Sequence, residues 1–244
     1  MNMKKVILSV LMSTMLIAPI TSHAEANDYI HNNTAKAEQT IQKSGWIKEN
    51  NYWYFYKDGK IQTGWVYDNG IWYFLNNEGQ MQTGAIDDGN NGYLLKHDGA
   101  LVTTPGWVYQ DSAWYYINQD GTLHYGLLND VGKVYYFGEN AKMHTGWIGE
   151  SIYGAYHYQD GSRAFGWHFI DQTWYYFGND GITHNGWLYD NGKWYYLIAG
   201  QMHIGWLQDG HNWYYLKKDG TMTTGKIVIN NISYSFAKDG RLLK

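Results

Sequence analysis

The sequence predicts an all-β solenoid of about ten stacked β-hairpin repeats, each of roughly 20 residues. Two observations carry this expectation. Glycines recur at Gly45, Gly64, Gly84, Gly106, Gly126, Gly146, Gly166, Gly186, Gly205 and Gly225, spaced by 19 to 22 residues, and a fixed period near ~20 marks a stacked repeat array. Each unit also carries aromatic residues at the same offsets and two turn signals, as in residues 64–83, GWVYDNGIWYFLNNEGQMQT, and 205–224, GWLQDGHNWYYLKKDGTMTT. Units this short bury an apolar face only against their neighbours, so residues 45–244 count as one repeat domain.

From the start of the chain, residues 1–24 have the parts of a secretory signal: Lys4 and Lys5, an apolar stretch from Val6 to Ile17, and a small-x-small ending at Ser22, His23 and Ala24. The apolar stretch falls short of the ~20 residues a spanning helix requires. Export with cleavage before Glu25 is therefore expected, and no membrane contact after the signal is removed. Residues 25–44, EANDYIHNNTAKAEQTIQKS, are polar, lack Trp and lie outside the repeat; they read as a leader or linker.

Within each repeat, Gly-Trp opens a short strand that ends at a turn signal such as Asp68-Asn69-Gly70 or Asp190-Asn191-Gly192. A Trp-Tyr-Tyr-Leu type segment then returns, which is a β-hairpin signature. A second turn follows at sites such as Gln119-Asp120-Gly121 and Lys218-Asp219-Gly220, where glycine supplies a positive φ and aspartate tolerates it. These Asp and Gly positions read as turn chemistry rather than calcium ligation, because the paired-carboxylate spacing of calcium loops is absent. Alternation places Trp174 and Tyr176 on one face of their strand and Tyr175 and Phe177 on the other. The opening Trp, seven residues before the second, comes near it across the hairpin.

Composition narrows the function. Aromatic residues make up 18% of the chain while aliphatic ones are scarce, so the rings serve as core, as binding surface, or both. The formal charge is −4, and about −6 once Lys4 and Lys5 leave with the signal, which argues against nucleic acid as a partner. There is no cysteine, hence no disulfide framework, thiolate metal site or nucleophilic thiol. An exported chain without such an anchor is held at a surface by what it binds. No nucleophile elbow or His-x-x-x-His cluster is present, and the acidic residues follow the repeat period. No enzyme activity, metal or cofactor is expected; the enzymatic alternative is a cell-wall hydrolase supplied by another chain, for which this chain would be the targeting subunit.

The unit in residues 106–126, GWVYQDSAWYYINQDGTLHYG, resembles the choline-binding, or cell-wall-binding, repeat of Gram-positive surface proteins and phage-type lysins, and the resemblance extends over residues 45–244. It implies three hairpins per superhelical turn, with ligand sites between consecutive hairpins. It further implies a cage built from the opening and second Trp of one repeat and closed by the second Tyr of the next. The ligand implied is choline on cell-wall teichoic acid, because a quaternary ammonium has no hydrogen to donate and is recognised by ring faces. Carried onto this chain, complete sets are Trp107, Trp114 and Tyr136; Trp167, Trp174 and Tyr196; and Trp187, Trp194 and Tyr215, with Trp46, Trp53 and Phe74 as a fourth. Two sets are broken at the closing position, Trp65 and Trp72 by Leu94, and Trp206 and Trp213 by Ser235. Three repeats depart further, with Ala85 and Leu127 after the opening glycine and Gly154 in place of a second indole. Glucan is the second candidate ligand, since related aromatic repeats stack sugars. His124, His144, His184 and His203, each two residues before an opening glycine, raise the expectation of pH-tuned binding. The oligomeric state is open.

Overall fold

The computed structural model describes residues 42–149 and 153–243; the expected signal peptide and nearly all of the leader lie outside the described residues. Among the described residues the chain forms ten antiparallel hairpins. The hairpin of Gly186–Asp190 and Lys193–Ile198 shows the plan: Trp187 lies opposite Tyr196, Tyr189 opposite Trp194, and Asp190 opposite Lys193. Its turn, Asn191 at φ 46° and Gly192 at φ 77°, has both central residues at positive φ, which matches the twist of the flanking strands.

In the next hairpin, of Gly205–Asp209 and Asn212–Leu216, a second turn brings the chain back along the returning strand. Gly220 N–H donates to Lys217 O, and Asp219 Oδ1 accepts from Thr221 N–H. This turn sits on the preceding repeat. Gly220 has φ 78°, and a Cβ there would lie 2.2 Å from Met202 Sδ, so only glycine allows the approach.

The repeats are joined by a recurring main-chain bond. Met81 N–H donates to Trp53 O, Leu101 to Trp72, Met143 to Trp114 and Met222 to Trp194, at 2.8 to 2.9 Å. The bond recurs in the repeats that lack a second indole, from Leu123 to Gly92 O, Arg163 to Val134 O and Thr183 to Gly154 O. It uses the backbone alone, so loss of a ring leaves the stacking intact.

The core is a line of side chains, one per repeat, at the fourth residue of each Trp-Tyr-Tyr-Leu segment. Tyr56, Leu75, Leu95, Ile117, Phe137, His157, Phe177, Leu197, Leu216 and Phe236 are all buried. The sixth repeat alone places an imidazole in this line. His157 Nδ1–H donates to Gly161 O at 3.0 Å, and burial, with the nearby charges of Arg163 and His144, lowers its pKa, so it is held as the neutral imidazole.

Candidate functional site

Four of the six Trp-paired hairpins present four rings on one face, and the other two present three, with Lys48 or Gln208 in the remaining place. In the hairpin opening at Gly186, Trp187 packs on Tyr196 at 5.1 Å and on Trp194 at 6.3 Å, and Tyr189 lies 5.0 Å from Trp194. Alternation and register together force this grouping, because Trp187 and Tyr189 point one way from the first strand while Trp194 and Tyr196 point the same way from the second. The first Tyr of each segment points the opposite way and reaches the preceding repeat.

That first Tyr closes the inter-repeat enclosure. Tyr73 meets Trp46 at 4.8 Å, Tyr135 meets Trp107 at 4.7 Å, Tyr195 meets Trp167 at 4.9 Å and Tyr214 meets Trp187 at 4.8 Å, all near edge-on. The sequence-based assignment of the closing ring was therefore displaced by one residue. Tyr196 and Phe74 instead back the opening Trp of their own repeats, Trp187 and Trp65, at 5.1 Å. Tyr215 does the same to Trp206 at 5.2 Å, and Tyr136 faces His144 and His157. The reason is the period of two: a second Tyr shares the face of its own indoles, which looks toward the following repeat, and cannot also look back.

The same shift repairs the two sets that had looked broken. Tyr93 stands 4.9 Å from Trp65 and Tyr234 stands 4.9 Å from Trp206, so Leu94 and Ser235 do not occupy the closing position. Leu94 is wholly buried in the core. Six junctions thus hold two indoles and a facing tyrosine: Trp46 and Trp53 with Tyr73, Trp65 and Trp72 with Tyr93, Trp107 and Trp114 with Tyr135, Trp167 and Trp174 with Tyr195, Trp187 and Trp194 with Tyr214, and Trp206 and Trp213 with Tyr234.

Carboxylates that read only as turn residues turn out to hold the opening indole. Trp46 Nε1–H donates to Asp68 at 3.2 Å, Trp65 to Asp88 at 3.0 Å, Trp107 to Asp130 at 2.8 Å, Trp167 to Asp190 at 3.2 Å and Trp187 to Asp209 at 2.9 Å. Each bond crosses a junction and fixes the indole plane against the next hairpin. The sequence contained a signal for this: aspartate stands four residues after the opening glycine in repeats that follow a paired-Trp repeat, whereas Gln110 stands there after Ala85 and Ile170 after Trp147. The repeat opening at Gly225 is the exception, with Ile229 at that place after Trp206 and Trp213.

The enclosures are apolar within and negative at the rim. A groove of about 420 Å³ lies between Trp167, Trp174, Tyr195 and Met202, with Asp190, Asp219 and Lys218 at its edge. The next, about 290 Å³, lies between Trp187, Trp194, Tyr214 and Met222, with Asp239 at its edge. The closing phenols register this field. Burial raises the pKa of Tyr195, and Asp219 and Asp190 raise it further; Tyr73 is raised by burial and then by Asp98 and Asp68. Burial pushes the Asp88 carboxyl up, but the Trp65 indole and the N–H groups of Asn91 and Asn90 outweigh it, so its pKa falls below the usual 3.8.

The departing repeats do not build such a site. Ala85 and Gly92 leave a gap that the Tyr125 phenol fills, since a Cβ on Gly92 would come within 2.0 Å of its Oη. Trp147 keeps its facing Tyr175 at 4.9 Å but has Gly154 instead of a second indole. The four histidines lie outside the enclosures. His124, His144, His184 and His203 each bond through Nε2 to the carbonyl three residues on, at 3.0 to 3.2 Å, and lie beside the second ring of their own repeats.

Five stretches of the chain, residues 63–81, 106–123, 166–182, 185–197 and 204–222, match the family model of the cell wall binding repeat. All five fall on hairpins with paired indoles. Among solved structures, the choline-binding domain of CbpL from Streptococcus pneumoniae is 32% identical, with 75% of this chain and 98% of that chain covered and a TM-score of 0.55. CbpJ from the same organism is 25% identical over 82% of this chain and 87% of that one, with a TM-score of 0.69. The modular autolysin LytC of Streptococcus pneumoniae is 25% identical with a TM-score of 0.53, and the likeness spans 82% of this chain but only 47% of that chain. No curated protein sequence matches.

Proposed function

We propose, for a chain that belongs to the choline-binding family of cell-wall-binding repeat proteins, that it is a secreted, non-catalytic attachment protein whose inter-repeat cages take the choline groups of cell-wall teichoic acid. The observation that carries this reading is the three-ring enclosure, two indoles and a facing tyrosine, with carboxylates at its rim. A trimethylammonium group offers no hydrogen-bond donor, so ring quadrupoles and nearby negative charge are what recognise it. The same enclosure suits neither an anion nor a nucleic-acid backbone.

Three cation–ring contacts at roughly 1 to 2 kcal/mol each amount to about 3 to 6 kcal/mol, which corresponds to a site of about millimolar strength. One such site holds a protein weakly. Several engaging one polymer make later contacts intramolecular and raise avidity by about 100-fold or more. Attachment through many weak cages also fits an array in which three repeats have lost theirs. The related choline binding protein F of Streptococcus pneumoniae has been crystallised in the presence of a peptidoglycan analogue, which fits a wall ligand for this family.

The test is retention of the purified mature chain on an immobilised quaternary-amine resin, with elution by free choline, beside Trp174→Ala and Trp194→Ala. Choline-reversible retention that weakens in both variants is the expected result. A folded wild type that passes through unretained overturns the reading, and glucan retention in its place would identify the ligand as sugar.

A further inference from the structure

Four aromatic side chains contribute neither to the core line nor to a cage. Tyr67, Tyr109, Phe169 and Tyr189 each follow an opening Trp by two residues and lie opposite the second Trp of the same hairpin. Their rings stand 4.9, 5.1, 5.4 and 5.0 Å from Trp72, Trp114, Trp174 and Trp194, tilted by 45° to 52°. They are 59%, 60%, 60% and 59% exposed. A large ring kept mostly in water in the same pose at four places is an unusual use of apolar surface.

Hairpin stability does not require it. The position holds Lys48 opposite Trp53 and Gln208 opposite Trp213, so the fold accepts a polar side chain there. An aromatic ring occurs at this place only where the opposite residue is Trp; repeats without a second indole carry Asp87, Asn129, Gly149 and Val228. The ring therefore accompanies four of the six paired-indole hairpins and none of the others.

The geometry of the pair suits one kind of ligand. The second indole borders its cage on the inside and meets the exposed ring on the outside, as Trp194 does between Trp187 and Tyr189. The two outer rings form an open shelf continuous with the mouth of the cage. A pyranose ring matches such a surface, because its axial C–H face is apolar while its rim is a ring of hydroxyls.

We propose that the four shelves are sugar-stacking subsites, each taking the pyranose ring that carries the cation held in the adjoining cage. The inference rests on the choline reading above, and the experiment separates the two. Phosphocholine and a methyl hexopyranoside bearing phosphocholine are titrated calorimetrically into the wild type and into the combined variant Tyr67→Thr, Tyr109→Thr, Phe169→Thr and Tyr189→Thr, where threonine preserves the β preference. The glycoside should bind the wild type about five- to tenfold more tightly than phosphocholine, equivalent to about 1 to 1.4 kcal/mol. The variant should bind phosphocholine within twofold of wild type, showing that it is folded, and lose the glycoside advantage.

Equal binding of the two ligands by the wild type, or an advantage that survives in the variant, overturns the shelf while leaving the cages standing. Failure of phosphocholine itself to bind the wild type overturns the choline reading and the shelf with it. A wild type that sediments as a dimer and a variant that sediments as a monomer, with no glycoside advantage in either, would make the shelves a contact between copies and likewise overturn the proposal.

Discussion

Replacing Tyr195 and Tyr196 one at a time by leucine separates two adjacent rings that face opposite ways. Tyr195 lies 4.9 Å from Trp167 across the junction, whereas Tyr196 lies 5.1 Å from Trp187 within its own hairpin. Removing one of the three rings of a cage subtracts about 1 to 2 kcal/mol from cation binding, a weakening of about five- to thirtyfold. Leucine keeps apolar contact with Trp167, so the loss of the edge-on ring pair destabilises that junction by only about 0.5 to 1.5 kcal/mol. The local effect is read from the indole N–H resonances of a nitrogen-15-labelled sample during a choline titration. The Trp167 indole, bonded to Asp190, reports its own cage even while the other cages fill normally. Tyr195→Leu should shift the Trp167 and Trp174 titrations to higher choline and leave the rest. Tyr196→Leu should leave those two in place and disturb the Trp187 resonance. The reverse pattern, with Trp167 and Trp174 weakened by Tyr196→Leu alone, would refute the assignment of the closing ring.

Other expected outcomes follow from single contacts. Asp88, held below the usual carboxylate value by the Trp65 indole and two backbone N–H groups against the opposing push of burial, stabilises the fold above about pH 4 and loses that contribution as pH falls through its folded pKa. Trp65→Phe should move the Asp88 carboxyl titration upward by NMR; an unchanged midpoint would exclude the indole as the cause. His157, a base whose pKa burial lowers with help from Arg163 and His144, favours folding above its unfolded value near 6.5 and loses that contribution as pH drops below it. His157→Phe, the residue type of Phe137 and Phe177 in the flanking repeats, should flatten the decline of the melting temperature between pH 7 and 5, whereas parallel declines would show that other groups cause it. Gly220→Ala should destabilise the array by roughly 1 to 3 kcal/mol through its φ of 78° and its closeness to Met202. Met202→Ala in the same chain should recover only part of this in urea unfolding, because the backbone strain remains.

Much of this molecule is local and therefore legible along the chain. The glycine period, the Asn-Gly and Asp-Gly turns and the alternation within Trp174-Tyr175-Tyr176-Phe177 specify hairpins of fixed register, because turn chemistry and a period of two act over a few residues. They also specify which rings share a face. What they leave open is which face looks forward and which looks back, since that depends on how one hairpin stacks on the next. Packing decided it: Tyr195 reaches the preceding repeat and Tyr196 supports its own. Packing likewise turned Asp190 from a turn residue into the acceptor for Trp167, and set Tyr125 into the gap over Gly92. The contacts between repeats, Tyr195 to Trp167, Asp190 to Trp167 and Tyr125 to Gly92, join residues 23 to 33 positions apart, a separation at which side-chain proximity is set by the stacking of whole repeats rather than by the preferences of any short segment.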